Sequence, residues 1–317
     1  MKQVFLVILL AFGFVAGAQN KIVKKPKKQK PATTHVAPKK ERASKQRKVQ
    51  SKKDKVDNHP KKEEVDNYPK KVEVDISPTI GKANYTPNVK TFYANGVSFE
   101  MVEVSGGTFR MGASSEQGSD AYDWEKPVHS VTLSGYYIGK TEVTQALWKA
   151  VMGSNPSSYK GDNLPVTWVS WNDCQVFIRK LNSLTGQNFR LPTEAEWEFV
   201  CRGGNNSRGY KYSGSNYIDN VAWYGDNSGA KTHPVATKSP NELGIYDMSG
   251  NVWEWCSDWY EGYTSGAQTN PKGPYDGWLR VGRGGSCYDC ASYCRSSRRD
   301  SDRPDDRYSS PGLRLSL

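Results

Sequence analysis

All ten tryptophans of this 317-residue chain fall between Trp124 and Trp278, while the stretch from Gln19 to about Lys90 holds none and almost no large apolar residue. A segment of that composition cannot bury enough surface to offset the entropy of ordering its backbone, so residues 19–90 are expected to be a disordered, lysine-rich linker. The roughly 230 residues that follow are enough for one large core. Charge divides at the same place. Residues 19–90 carry 21 Lys and Arg against 8 Asp and Glu, and with Lys2 ahead of them they leave residues 91–317 at −3 of the chain's +11. The high pI therefore describes the tail, and the domain is mildly acidic. A short repeat over 56–75, VDNHPKKEE then VDNYPKKVE, is what a spacer without a packed core looks like.

Ahead of the tail, Lys2 is followed by an apolar run from Val4 to Val15 and the small residues Ala16, Gly17 and Ala18. This is the pattern of a secretory signal peptide over 1–18, too short and wrongly flanked for a membrane span, so the mature protein is expected to be secreted or periplasmic. Beyond its role as a solvated linker, the basic tail has the charge to attach to an anionic envelope polymer. It lacks interleaved aromatics, and no nucleic-acid-binding signature follows it, which argues against nucleic acid as a partner.

Within 91–317 the hydrophobic period changes along the chain. Residues 97–104 partly alternate and lead through Gly106 and Gly107 into 108–111, a strand, turn and strand, and 129–133 and 136–138 read as two more strands. Thr141 is the expected N-cap of a helix over 142–152, with Val143, Leu147 and Val151 on one stripe and Gly153 as its stop. A second helix is expected over 171–182, turning Cys174, Phe177, Ile178 and Leu181 inward. At 190–198, Pro192 restricts its predecessor, Thr193 can cap a third helix and Glu196 completes a capping box. The mixture is an α+β fold with much coil. The segment 246–258 is dense in glycine, acid and tryptophan, which suits a loop that packs rings inward while carbonyls and carboxylates converge on a hard cation. The four histidines make no zinc spacing, and neither a serine-hydrolase elbow nor a phosphate loop is present.

Taken in order, VSGGTFRMG at 104–112, EKPVH at 125–129, KTEVT at 140–144, PVTWVSWN at 165–172, RLPTEAEWE at 190–198, YDMSGNVWEWCSD at 246–258, RVGRGGS at 280–286 and GLRL at 312–315 resemble successive blocks of the formylglycine-generating enzyme, or sulfatase-modifying factor, family. The resemblance covers nearly everything after residue 95. It implies a C-type-lectin-like variant fold, low in regular secondary structure and stabilised by calcium. The activity it implies is oxidation of a cysteine in a sulfatase polypeptide to formylglycine, with molecular oxygen and a copper(I) ion between two cysteines. Soft thiolates select copper(I), and a two-thiolate site leaves room for a substrate thiol.

The same resemblance assigns residues. Asp247 and Glu254 match side-chain ligands of calcium, Gly250 and Val252 match carbonyl ligands, and Asn220, Val221 and Asp226 fall at a second calcium position in a shorter loop. Trp253, Ser286 and Arg299 match residues lining the substrate groove. The active enzymes place their cysteine pair three and eight positions beyond the serine matched by Ser286, and here those places hold Asp289 and Cys294. Counting back from Arg295, Arg299 and Pro304 puts Ala291 at the second place instead, which points to a shortened loop. Six cysteines in an exported chain form disulfides by default, and Cys201 resembles a family cysteine whose partner lies near Ser296, implying a Cys201–Cys294 bridge. Two readings stay open: a formylglycine-generating oxidase with Cys290 and Cys294 as its copper or redox pair, or a non-catalytic module keeping scaffold and calcium while its groove binds another envelope protein or a glycan.

Overall fold

The computed structural model describes residues 86–317. The expected signal peptide and nearly all of the basic linker lie outside them. Asn95 and Gly96, with φ of 46° and 82°, supply the two left-handed residues of a tight hairpin between β1 (Val89–Ala94) and β2 (Val97–Val104). The first strand thus starts two residues ahead of the expected boundary. β2 also pairs antiparallel with β5 (Tyr136–Gly139), making a three-stranded sheet in the order β1-β2-β5. A second sheet joins β3 (Gly107–Met111) to β4 (His129–Leu133), with the two-residue β7 (Gln268–Thr269) parallel to β4 at its edge. In the third sheet, β6 (Trp253–Trp259) and β8 (Arg280–Arg283) run antiparallel, β9 (Arg299–Asp302) follows β8, and β10 (Pro311–Gly312) lies parallel to β6.

Helix α1 is Gln145–Met152, three residues shorter at its start than the sequence reading. Its N-cap is Thr144, whose hydroxyl accepts from Leu147 N–H, rather than Thr141. The cause is tertiary: Val143 N–H donates to Leu313 O and Val143 O accepts from Val166 N–H, so the chain just before the helix is held extended. Helix α2 (Trp171–Thr185) is capped by Ser170 and runs three residues past the expected end, to Gly186 in the left-handed region. Trp148 of α1 stacks on Phe177 of α2 at 4.8 Å, within a core that also takes Phe92 and Met101 from the first sheet.

Helix α3 (Glu194–Cys201) forms as its capping box predicts. Glu196 N–H donates to Thr193 Oγ1 at 3.1 Å, and Thr193 N–H donates back to Glu196 Oε2 at 2.9 Å. The surprise is its surroundings, since all eight residues are buried, the three glutamates included. Trp197, Phe199 and Val200 join a second core with Val131, Leu133, Ile138 and Val281. A small third cluster gathers Tyr212, Tyr224 and Cys294 around the one-turn α4 (Ile218–Val221).

Candidate functional site

Two acids of α3, Glu194 and Glu198, are held by arginines from the third sheet, while Glu196 pairs with Arg190. Arg283 donates through Nη1 to Glu194 at 2.9 Å and through Nη2 to Glu198 at 2.6 Å, while Arg299 grips Glu194 through Nε at 2.8 Å and Nη2 at 2.7 Å. Glu198 also takes Arg202 Nε at 2.8 Å and Gly112 N–H at 2.8 Å, and Arg202 reaches on to Glu116. Burial pushes the Glu198 carboxyl up, but Arg202 and Arg283 outweigh it and hold it below the usual range. Arg299 is buried, in contact with the rings of Tyr260 and Tyr263. It shares no bonded partner with Trp253 or Ser286.

Those two do come together. β8 is followed by Gly284, Gly285 and Ser286; Gly285 has φ 72°, and a Cβ there would sit 2.9 Å from Cys294 Sγ, so only glycine fits. The turn aims Ser286 Oγ at Asp289 Oδ2, which accepts it at 2.5 Å and Trp253 Nε1–H at 2.9 Å. Asp289, at the first cysteine place when counted forward from Ser286, thus accepts from both expected groove residues. Cys290 is exposed, its sulfur 3.2 Å from Ser292 Oγ. Cys294 is fully buried, and burial, with Asp289, Cys290 and Cys287 adding, pushes its thiol well above the ordinary value. Burial likewise raises Cys287, to about 12, and Cys201, to about 11.

All six cysteines are free thiols. The implied Cys201–Cys294 bridge is not formed: Cys201 Sγ faces Met248 O at 3.7 Å, and Cys294 packs beneath Gly285 beside Tyr212 and Tyr224. Nor does this donor set suit copper(I). It offers a carboxylate, one exposed thiol and one buried thiol whose surroundings disfavour the thiolate, where the ion needs two thiolates side by side.

A second charge cluster surrounds the 246–254 loop. Glu254 is bidentate with Arg314, at 2.7 Å to Nη2 and 3.0 Å to Nε, and its Oε2 also accepts Trp197 Nε1–H at 2.7 Å. Asp247 Oδ2 accepts Ala236 N–H at 2.7 Å. Glu142, fully buried, accepts Val252 N–H at 3.2 Å and Asn251 Nδ2–H at 2.7 Å. Burial raises Asp247 to about 6. Burial, then the nearby Asp247 and Glu254, raise Glu142 well above the usual range. Three buried carboxylates thus share one arginine. The sequence reading missed Glu142, treating it as the first residue of α1, although its place in the KTEVT block was visible. It missed Arg314 as the partner of Glu254, a pairing across 60 residues.

Among the described residues no three His, Cys, Asp or Glu side chains are gathered as a metal cage. A calcium shell built mostly from carbonyls needs no such trio. Asp247 (φ 60°) and Gly250 (φ 80°) bend the loop that carries the Gly250 and Val252 carbonyls, and the surplus of buried negative charge beside it suits an oxygen-ligated hard cation. At the second expected position, Asn220 and Asp226 are exposed while Val221 is buried in the third core cluster.

Residues 88–316 match the family model described as the sulfatase-modifying factor enzyme 1-like domain. The chaperone protein LppX of Paenibacillus barcinonensis is 38% identical over 239 residues, covering 60% of this chain and 79% of that protein. The formylglycine-generating enzyme of Streptomyces coelicolor is 32% identical over 284 residues, covering 67% of this chain and 87% of the enzyme. Among solved structures, the Treponema denticola variable protein 1 superposes with a TM-score of 0.66 at 35% identity, covering 73% of this chain and 99% of that one. PvdO from Pseudomonas aeruginosa gives 0.62 at 26% identity, covering 73% and 98%. Motif order, fold and relatives agree, and the chain belongs to the sulfatase-modifying factor, or formylglycine-generating enzyme, family.

Proposed function

We propose that this chain is a non-catalytic member of its family: an exported, calcium-stabilised module with the C-type-lectin-like variant architecture, which recognises another envelope polypeptide instead of oxidising a sulfatase cysteine. One observation carries the reading. Asp289, which counting from Ser286 sets at the first thiolate place, is held by Ser286 and Trp253, and Cys294 is buried beneath the turn. A carboxylate that accepts two hydrogen bonds is a poor ligand for copper(I), and a buried neutral thiol is a poor nucleophile. The 38% identical relative named a chaperone protein supports a protein client over an oxidised substrate. Export rests on the apolar run of 1–18, which lies outside the described residues.

In this reading Asp247 and Glu142 supply carboxylate oxygens to calcium, the carbonyls of Gly250 and Val252 supply neutral ones, and Glu254 keeps Arg314 neutralised. The bound ion contributes positive charge that the cluster otherwise lacks, fixing the loop that precedes Trp253.

The deciding experiment incubates the full chain with copper(I), oxygen and a peptide carrying the sulfatase cysteine motif. No hydrazide-reactive aldehyde is expected, and Cys290→Ser is expected to change nothing. Aldehyde that accumulates with the wild type and disappears in Cys290→Ser reinstates the oxidase.

A further inference from the structure

Away from the Asp289 turn, a cavity of about 490 Å³ opens between the end of β6, the β4–β7 sheet edge and the loop of residues 271–279. Its floor is polar and fully committed. Glu194 is held by Arg283 and Arg299 and accepts Tyr263 O–H at 3.1 Å, while Asp258 Oδ2 accepts Glu194 N–H at 3.0 Å and Ser257 O–H at 2.8 Å. Its mouth carries one acid, Glu261, and one base, Lys272, both exposed. Around them are hydroxyl and amide groups, with Gln268 Nε2–H donating to Thr264 Oγ1 at 3.1 Å. The cavity thus offers directional hydrogen bonds without net charge, and its size suits a small ligand rather than a folded partner.

The rim adds rings. Tyr275 is 100% exposed and Trp278 90%, in a domain that buries most of its large side chains. The loop presenting them is clamped at three points. A Cβ on Gly273 would come within 2.8 Å of Asp258 Cβ, and one on Gly277 within 2.9 Å of Trp259 Cβ. Tyr260 N–H donates to Leu279 O at 2.8 Å. Two large rings left in water on a loop so fixed cost solubility and contribute nothing to the core, which marks them as recognition surface.

We propose that this cavity and the adjoining loop form a binding site for a neutral oligosaccharide, the Tyr275 and Trp278 rings stacking on sugar faces while the hydroxyl and amide groups of Thr264, Gln268 and Thr269 meet sugar hydroxyls. Uncharged polar groups beside rigid aromatic faces match a ligand whose own surface alternates C–H faces with hydroxyls. A charged ligand finds no unpaired counter-charge at the floor. An extended peptide finds only the two-residue β7 as an edge strand, too short to template strand addition.

The test titrates the full chain calorimetrically with chitotetraose, cellotetraose and mannotetraose. Binding of at least one is expected, with Trp278→Ala and Tyr275→Ala each weakening it by about tenfold or more, Trp278→Phe retaining most of it, and no variant changing the melting temperature. Absence of heat with all three sugars at roughly millimolar concentration overturns the proposal. So does binding that survives both alanine variants, or a linear peptide that binds at the two rings where the sugars do not. Asp289 and Cys290 do not line this cavity, so failure here leaves the non-catalytic reading standing, and aldehyde formation would leave this site untouched.

Discussion

Two clusters of buried charge flank Trp197, and they are built on different arithmetic. Around α3 and the third sheet, Glu116, Glu194 and Glu198 face Arg202, Arg283 and Arg299, three against three. Around the 246–254 loop, Glu142, Asp247 and Glu254 face Arg314 alone. In the first cluster the arginines overcome burial and hold Glu198 ionised, whereas in the second, burial and mutual repulsion push Glu142 and Asp247 toward the neutral form. A closed charge set is scaffold and needs nothing further. An open one is stable at neutral pH only if protons or an external cation make up the difference.

The sharpest way to break this contrast is to remove one acid from each side. Glu198→Ala leaves Arg202 and Arg283 one acid short in the core, with only Glu116 and Glu194 to face them, and it is expected to cost about 3 kcal/mol, read as a lowered denaturant midpoint. Glu142→Gln, which keeps an acceptor for Val252 N–H and removes a surplus charge, is expected to be near neutral or stabilising in the presence of a chelator. Equal losses for the two would mean that the clusters do not differ as their charges indicate.

The same contrast marks what the sequence could disclose. The Thr193–Glu196 capping box is legible because its partners lie three residues apart. The burial of Glu194 and Glu198 is not, because Arg283 and Arg299 come from 85 to 105 residues further on, and amphipathic periodicity has no means of marking a buried acid as paired. The start of α1 failed for a related reason: both Thr141 and Thr144 can cap, and strand-like bonds from Val143 to Leu313 and Val166 choose between them. Asp289 was visible as a departure from the motif. That Ser286 and Trp253 converge on it depended on how a glycine turn and a strand meet, and counting residues cannot supply that. Arg299 matched a groove residue by position, but its pairing with Glu194, 105 residues away, could not be read from the motif.

Asp258 is an intermediate case, adjoining the balanced cluster without a cation of its own. Burial, with Glu194 adding, raises its carboxyl from 3.8 to about 7. Between those values the folded chain keeps a proton that the unfolded chain has released. Its stabilising contribution is therefore complete below about pH 4 and is lost as pH rises toward 7, by up to roughly 4 kcal/mol. Asp258→Asn keeps the acceptor for Glu194 N–H and abolishes the titration, so its denaturant midpoint should lack the wild type's decline across that interval. A parallel decline in both proteins would assign the proton elsewhere.

Calcium gives a smaller but more discriminating effect. A ligand that binds only the folded state stabilises it by about 2.7 kcal/mol at a hundredfold excess over its Kd, so saturating calcium should raise the melting temperature of wild type relative to chelator. The gain should vanish in Asp247→Asn and shrink in Glu142→Gln, because each removes a carboxylate donor and part of the negative surplus that attracts the ion. Glu198→Ala, although much less stable, should keep the same calcium increment, since its charges were already matched. That reversal separates the clusters by kind: the variant that hurts stability most leaves calcium's effect intact, and the variants that abolish or reduce calcium's effect hurt stability least. Magnesium is the control, because it demands near-octahedral geometry and sheds its water reluctantly, and a carbonyl-rich loop should favour the larger ion. A shift equal for both ions, or one that persists in Asp247→Asn, would show that the open cluster is closed by protons alone.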